Sequence, residues 1–453
     1  MKHGKVLAGA VLLCLGPVVA TAASATDTFG GGATLPAGAY VGFNFIGATN
    51  PMLSSNTLTQ FAGQSPSGID AGSLFGAWSA STGNKISYCQ TGSGNGKKIF
   101  DKTDGATALT SIGACTGSLT GFAAPASVAV DPHFTGSDAP MSVSEYALFG
   151  TAATGKGPQY GEPSQFPVVA GSIAILYNNA DAAQGTLNLT GAQICGVFNH
   201  TITTWDQLGV STPFNPHKRI KVVYRLDGDG TTFSLSNHLT AVCQGTLPAH
   251  FITDQSFSTV VSQFGTPSAF GWTGVSGDGG VVTEMNFFGE DGAISYAESA
   301  NLKAATIAGT AFNVSYAKVN GRDPFADFPG TISVFAVQNI AINGVNAVTG
   351  SPVVVELSPI VAGSKCINIV NPVTYANVIT RYPIMAVSYL IANFKGNGPD
   401  VAAVRSLISS GYGEVNPITH LITHPGVSTI GAGTGFAFIA PNTPIEPAAC
   451  INI

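Results

Sequence analysis

The sequence predicts an α/β protein, and two observations support this fold class. Apolar runs at 166–177, 219–225 and 383–392 alternate with stretches of helical spacing such as 231–243. A hydrophobic period that changes between two and 3.6 is typical of alternating strands and helices. The runs 166–177 and 383–392 are nearly free of charge, so we expect both to be buried on both faces, as central parallel strands are.

The composition indicates a folded chain and argues against nucleic acid as a partner. The 453 residues are 45% hydrophobic and only 9% charged, which excludes a highly charged disordered chain. Lys and Arg total 18 against 24 Asp and Glu, so the basic surface typical of nucleic-acid-binding proteins is not expected.

Residues 1–25 have the features of a secretory signal peptide. Lys2 and Lys5 precede an apolar run, and Ala23-Ser24-Ala25 fits a small-x-small cleavage site. The run is interrupted by Gly16-Pro17 and is short for a membrane span of about 20 residues. We therefore expect cleavage and export to the periplasm or beyond the cell.

Six cysteines follow residue 25, an even number that favours disulfides in an exported chain. None of their spacings is the CxxC of a metal cluster, so no metal site is predicted. Pairing of sequence neighbours divides the chain most simply. It predicts the bonds Cys89–Cys115, Cys195–Cys243 and Cys366–Cys450.

The first two of four small-residue loops lie near the start of the chain, each before a predicted helix. In 30–40, three glycines permit close backbone approach, Thr34 is a candidate N-cap, and Pro36 suits a first helical turn. In 91–100, Ser93 lies among glycines ahead of an amphipathic stretch.

The third loop, in 136–149, carries a carboxylate. Asp138 lies in a turn before Pro140, and Ser142-x-x-Glu145 fits a capping box that opens the next helix. An acidic side chain therefore accompanies the small residues here.

The fourth loop, in 225–239, follows an apolar strand that ends at Arg225. Asp227 lies two residues on and can share its face, and Gly228 and Gly230 flank a turn before Thr231 enters a helix. A strand, a glycine-rich turn and a helix N-terminus form a common anion site, since free N–H groups and the helix dipole both favour negative charge. Arg225 would add a bidentate donor.

A single loop of this kind is most often only a turn. Four such loops in an acidic chain with one well-placed arginine indicate an anion-binding site more strongly than any one of them.

The order of the motifs GGATLP, GSGNGK, GSDAP and R-x-D-G-x-G-T-T resembles the exported phosphate-binding proteins of ABC transporters, and especially the DING proteins. The tetrapeptide that names the latter is altered here to Asp27-Thr28-Phe29-Gly30. The resemblance spans most of the chain after residue 25. It implies a two-lobed α/β fold of the periplasmic-binding-protein type (type II), with ligand in the cleft between lobes.

The resemblance also implies a domain division, a site and partners. Lobe one would comprise 26–165 plus 385–453, and lobe two 166–384. The ligand is inorganic phosphate, a phosphate ABC permease is the candidate membrane partner, no cofactor is needed, and the chain is a monomer. The implied phosphate contacts are Thr34, Leu35, Ser93, Asp138, Arg225, Asp227, Asp229, Gly230 and Thr231, with the residue at Asp138 accepting a proton from the ligand.

One departure from the family pattern falls inside this site. The family has a serine between the two glycines of the fourth loop, and this chain has Asp229, which accepts hydrogen bonds but donates none when ionised. Asp229 either points away, or selects a more protonated ligand, or lowers phosphate affinity.

Two other functions remain open at this stage. A secreted phosphatase of the same fold would need an activated nucleophile, and Ser93 has no histidine nearby in sequence. A surface or adhesion protein could keep the fold without the ligand, and Asp229 favours that alternative.

Overall fold

The computed structural model describes residues 26–43, 52–54, 67–102, 122, 131–151, 155–182, 185–211, 213–243, 249–334, 337–415, 422–441 and 445–453. The predicted signal peptide and Cys115 lie outside these ranges.

The described part of the chain is mixed α/β, as predicted. Its strands are β1 (Asp27–Gly32), β2 (Met52–Leu53), β3 (Ser67–Gly68), β4 (Lys85–Gln90), β5 (Phe134–Ser137), β6 (Pro163–Asn178), β7 (Asn188–Leu189), β8 (Lys221–Arg225), β9 (Thr273–Val275), β10 (Ala293–Glu298), β11 (Ser315–Val319), β12 (Thr331–Val334), β13 (Val337–Val345), β14 (Pro352–Glu356), β15 (Asn368–Val370), β16 (Met385–Asn393), β17 (Glu414–Val415), β18 (Ile422–Thr423) and β19 (Phe436–Pro441).

The helices are short, and all but α12, which follows β19, lie between these strands in the sequence. They are α1 (Ala37–Val41), α2 (Leu74–Thr82), α3 (Ser93–Asp101), α4 (Val143–Gly150), α5 (Gly157–Tyr160), α6 (Gly191–Phe198), α7 (Gly230–Val242), α8 (Phe257–Val260), α9 (Asp278–Met285), α10 (Ser299–Ile307), α11 (Val401–Ser409) and α12 (Pro447–Cys450). The short 3₁₀ helices are Trp205–Leu208, Phe288–Glu290, Pro372–Thr374, Gly398–Asp400 and Ser410–Tyr412.

One large sheet organises the chain in the order β3-β2-β4-β1-β5-β16-β6-β10-β8-β9, with β11 and β19 also paired to β6. β1 is parallel to β4 and β5 on one side, and β8 is parallel to β9 and β10 on the other. The long strands β6 and β16 connect these two parallel groups.

The runs 166–177 and 383–392 form central strands that are buried, as expected. The prediction that these strands are parallel to their neighbours is wrong. Every described residue of β6 and β16 is buried. The two strands are antiparallel to each other, β16 is antiparallel to β5, and β6 is antiparallel to β10. Their uniformly apolar sequences reflect cover on both faces, which does not require parallel neighbours.

The two parallel groups end in the loops singled out from the sequence. β4, β5 and β8 run directly into the turns before α3, α4 and α7, and the predicted capping box forms, with Ser142 accepting from the Glu145 N–H and the Glu145 carboxylate accepting from the Ser142 N–H. The first loop differs from prediction. Pro36 precedes α1 without a side-chain cap, and the Thr34 hydroxyl is directed elsewhere.

An aromatic cluster supports the first of these loops. The rings of Tyr40 and Phe75 stack 4.7 Å apart, and Tyr88 packs edge-on against both. The Tyr88 hydroxyl donates to the Ala33 carbonyl at 2.7 Å, which fixes the backbone immediately before Thr34. The core of this half therefore sets the position of the loop.

The disulfides Cys195–Cys243 and Cys366–Cys450 are present, and they are two of the three pairs predicted. The third predicted pair involves Cys115, which is not among the described residues. No helix in the described ranges is both long and apolar enough to cross a membrane.

Candidate functional site

Five strand-to-helix loops meet at one buried position between the two parallel groups of strands. They are the four loops predicted from the sequence and the loop between β9 and α9. The side chains that they contribute, all buried or nearly so, are Thr34, Ser93, Asp138, Arg225, Asp227, Asp229, Thr231 and Asp278.

Arg225 lies at the centre and has no exposed surface. Its Nε and Nη2 donate to the two oxygens of Asp227 at 2.8 and 2.5 Å, a bidentate pair. Its Nη1 donates to Asp229 Oδ2 at 2.7 Å and to Asp278 Oδ2 at 2.8 Å, and Nη2 also reaches Thr34 Oγ1 at 3.4 Å. Burial disfavours the charge, but the three carboxylates hold the pKa of Arg225 well above its usual range.

Asp278 receives three donors on a single oxygen. Its Oδ2 accepts from Thr34 Oγ1 at 2.9 Å, from Arg225 Nη1 at 2.8 Å and from Thr231 Oγ1 at 3.1 Å. Its Oδ1 accepts from the Glu298 backbone N–H at 3.1 Å. The side chain therefore joins loops from both halves of the sheet.

Asp229 points into the cluster and not away from it. Its Oδ2 accepts from Arg225 and from the Thr231 N–H at 2.7 Å, which makes Asp229 the N-cap of α7. Its Oδ1 is buried and has no partner among the described residues. Burial raises the pKa of Asp229 to about 6, with the charge of Arg225 opposing the rise and the charges of Asp278 and Asp227 adding to it.

Asp138 pairs with Ser93. Ser93 Oγ donates to Asp138 Oδ2 at 3.1 Å and accepts from the Asp138 N–H at 3.0 Å. Asp138 Oδ1 is buried without a partner among the described residues. Burial first, and then the charge of Asp229, raise the pKa of Asp138 well above its usual range.

Gly230 and Leu35 have packing roles next to these groups. A Cβ at Gly230 would lie 2.3 Å from Asp138 Cβ, so only glycine lets the third and fourth loops approach this closely. The Leu35 side chain is fully buried, directly after Thr34. All nine residues predicted from the sequence therefore lie in one region of the fold.

The site combines donors with an excess of acceptors. Within it, one guanidinium is surrounded by Asp227, Asp229 and Asp278, and Asp138 lies beside the start of α7. The described residues contain no group of three or more His, Cys, Asp or Glu side chains arranged to hold a metal ion. The groups gathered here are donors and acceptors of hydrogen bonds.

Asp278 is the site residue that the sequence analysis missed. The segment Ser276-Gly277-Asp278-Gly279-Gly280 is a small-residue turn that opens a helix, the same pattern as the four loops that were identified. Its position after a strand of only three residues hid that signal.

The sequence comparisons identify a family and several relatives. The family model described as the PBP superfamily domain matches residues 72–409. Alkaline phosphatase L of Pseudomonas aeruginosa is 30% identical over 241 residues, which cover 53% of this chain and 55% of that protein. A phosphate-binding protein from an unknown prokaryotic organism is 33% identical over 178 residues, or 39% of this chain and 44% of that protein. The chain thus spans about half the length of these relatives.

Solved structures share the fold over nearly the whole chain. A high-affinity periplasmic phosphate-binding protein bound with phosphate has a TM-score of 0.57 at 24% identity, with 91% of both chains covered. A phosphate-binding protein from Stenotrophomonas maltophilia has a TM-score of 0.55 at 24% identity, with 89% of this chain and 88% of that chain covered. The two-lobed architecture expected from the sequence is confirmed by these similarities.

Proposed function

The chain belongs to the PBP superfamily, and from that premise we propose that it is an exported solute-binding protein that holds inorganic phosphate, or a close tetrahedral oxyanion, in the cleft between its lobes. The phosphate-binding proteins among its relatives and structural neighbours support this ligand. The lobe division at 165/166 and 384/385 belongs to the same proposal.

The proposal rests on one observation, that several hydrogen-bond donors converge on one point. Thr34 Oγ1 of the first loop and Arg225 Nη1 and Thr231 Oγ1 of the fourth all lie within 3.1 Å of one oxygen position, that of Asp278 Oδ2. Hydroxyl groups, a guanidinium and the start of α7 are the donors that bind oxyanions in proteins. Ser93 adds a third hydroxyl at the neighbouring Asp138.

The carboxylates predict selectivity for phosphate over sulfate. Asp138 Oδ1 and Asp229 Oδ1 are buried acceptors without a partner among the described residues, and a protonated ligand oxygen could donate to either. Sulfate carries no proton at neutral pH and would add two negative charges beside the carboxylates. Discrimination by unpaired acceptors of this kind is a general source of anion specificity.

Calorimetry with phosphate, arsenate and sulfate tests the proposal. We expect one phosphate per chain and no detectable sulfate binding. Arg225→Ala should weaken phosphate binding at least tenfold, because each charge-assisted bond contributes roughly 1.5–3 kcal/mol. Arg322→Ala is the control, since Arg322 is exposed and its ion pair among the described residues is with Asp327 at 3.7 Å. Equal phosphate affinity in both variants would place the ligand elsewhere.

A phosphatase is the alternative that one relative favours, because Alkaline phosphatase L shares 30% identity over 241 residues. Ser93 would be its nucleophile and Asp138 the adjacent base. In the binding proposal the same carboxylate accepts the proton of the ligand, so the two functions give Asp138 different roles. Hydrolysis of a chromogenic phosphomonoester by pure protein, abolished in Ser93→Ala, would support the phosphatase.

Partners and location follow from the same class of protein. We propose export through the N-terminal segment, action as a monomer without a cofactor, and delivery to a phosphate ABC permease as the partner. A surface or adhesion role without a ligand is the remaining alternative, and absence of binding to every oxyanion in the titration would favour it.

A further inference from the structure

The acceptor position at the centre of the donors is taken by a side chain of the protein itself. Asp278 Oδ2 accepts from Thr34, Arg225 and Thr231, and each of these three residues was predicted from the sequence to contact phosphate. Asp278 was not. A carboxylate oxygen and a phosphate oxygen accept the same hydrogen bonds from such donors.

Arg225 has no spare donor for a further anion. Its five N–H groups can be assigned to Asp227 twice, Asp229, Asp278 and Thr34. An incoming phosphate must therefore replace at least one acceptor. Asp227 and Asp229 belong to the same loop as Arg225, where Asp227 is bound bidentately and Asp229 also caps α7.

Asp278 is the acceptor that holds the contacts expected of phosphate, those with Thr34, Arg225 and Thr231. It reaches the cluster from the β9–α9 loop, and within the described part of the chain its Oδ2 accepts from Arg225 and the two hydroxyls. Its remaining anchor is the Glu298 N–H on Oδ1. The charged groups around it are Arg225, Asp227, Asp229, Asp138 and Glu298, all of them buried or nearly so.

A second observation indicates that this cluster receives a ligand. Asp138 Oδ1 and Asp229 Oδ1 belong to fully buried side chains beside the same donors, and neither has a partner among the described residues. Buried carboxylate oxygens normally accept hydrogen bonds. These two are acceptors suited to the O–H groups of a protonated oxyanion.

We propose that Asp278 is an internal competitor for the ligand: its carboxylate occupies an oxyanion position among Thr34, Arg225 and Thr231, and phosphate binds by displacing it. This inference rests on the proposed function. Asp278 thereby sets the affinity of the site and restricts it to ligands that bind more strongly than a tethered carboxylate.

Titration of Asp278→Asn with inorganic phosphate at about pH 8 tests the proposal. The variant keeps the size of the side chain and removes the competing charge, so phosphate should bind at least tenfold more tightly than to wild type. Asp278→Ser, which is smaller and also neutral, should change affinity in the same direction. Asp206→Asn is the control, because Asp206 is a half-exposed aspartate with no contact to the cluster and should leave affinity unchanged.

The outcomes separate this inference from the function on which it rests. Phosphate binding by wild type with equal or weaker binding by the folded variants would overturn the competitor role and leave the proposed function intact. Binding by the variants alone would support the competitor role most strongly. Absence of phosphate binding by wild type and all variants would overturn both.

The wild-type chain offers a measurement that needs no variant. The Glu298 N–H donates to Asp278 Oδ1, so its amide proton resonance should move upfield when phosphate displaces the carboxylate. A Glu298 resonance that stays in place while that of Thr231 shifts would show phosphate bound with Asp278 still in position, and would overturn the proposal.

Discussion

At the residue scale, Asp229 shows how one substitution can keep a structural role and change the electrostatics. A serine at this position would also cap α7, because serine and aspartate are both good N-caps. The aspartate does the same through its bond to the Thr231 N–H, but it adds a negative charge where Arg225 already contacts two other carboxylates. Of the three interpretations raised by the sequence, the outward-pointing carboxylate is excluded by this geometry.

The stability of the protein should report the charge of Asp229. The folded chain raises the pKa of Asp229 from 3.8 to about 6, so it holds the proton more tightly than the unfolded chain does. This contribution to stability is complete below about pH 4 and is lost as pH rises through about 6. Asp229→Ser should therefore raise the Tm, relative to wild type, more at pH 8 than at pH 4. A constant difference across this range would show that folding does not raise the pKa of Asp229.

The same variant should change ligand affinity with pH. Asp229→Ser removes a negative charge and restores a hydroxyl donor, so phosphate should bind more tightly, and the gain should be larger at about pH 8 than at about pH 6. Calorimetric titrations of wild type and Asp229→Ser with phosphate at the two pH values measure this gain in affinity. An equal difference in affinity between wild type and variant at the two pH values would mean that the charge of Asp229 does not act on the ligand.

At the scale of elements, the starts of helices could be predicted from the sequence, but the direction of the strands in the sheet could not. Alternating periods, glycine turns and the Ser142 capping box predicted α3, α4 and α7, because caps and turns depend on residues a few positions apart. The direction of β6 and β16 depends on partners far away in the sequence, so their apolar runs could not reveal it. Asp278 was missed because the strand before its loop has only three residues, too few to show a strand pattern.

Helix capping gives an independent check on the element boundaries. Thr190 caps α6, accepting from the Gln193 N–H at 3.2 Å, and lies on the surface. Thr190→Ala should lower the free energy of unfolding by about 1 kcal/mol in denaturant titrations. Thr190→Ser keeps the hydroxyl and is the matched control, for which we expect a change of only a few tenths of a kcal/mol. Equal losses in the two variants would argue against the cap.

At the scale of the whole molecule, the disulfides should affect stability without affecting the site. Cys195–Cys243 closes a loop with a sequence separation of 48 residues, for which loop entropy predicts about 4 kcal/mol. Cys243 follows the last residue of α7, whereas Arg225, Asp229 and Thr231 lie at its start. The double variant Cys195→Ser/Cys243→Ser should therefore unfold at lower temperature but keep its phosphate affinity. A matching loss of affinity would show that the bond also positions the fourth loop.

The pairing of β6 with β16 has a consequence for how the protein is made. Ser172 pairs with Met385, so this part of β6 cannot pair with β16 until roughly 210 more residues have been synthesised. At about 5–20 residues per second, synthesis leaves this interval open for roughly ten to forty seconds. Until β16 is made, residues 163–172 of β6, all buried in the finished protein, lack this partner and expose an apolar surface and unpaired backbone, whereas 173–178 can pair earlier with β10. Yield should therefore depend on slow synthesis, dilute refolding or a holding chaperone more than on the stability of the folded chain.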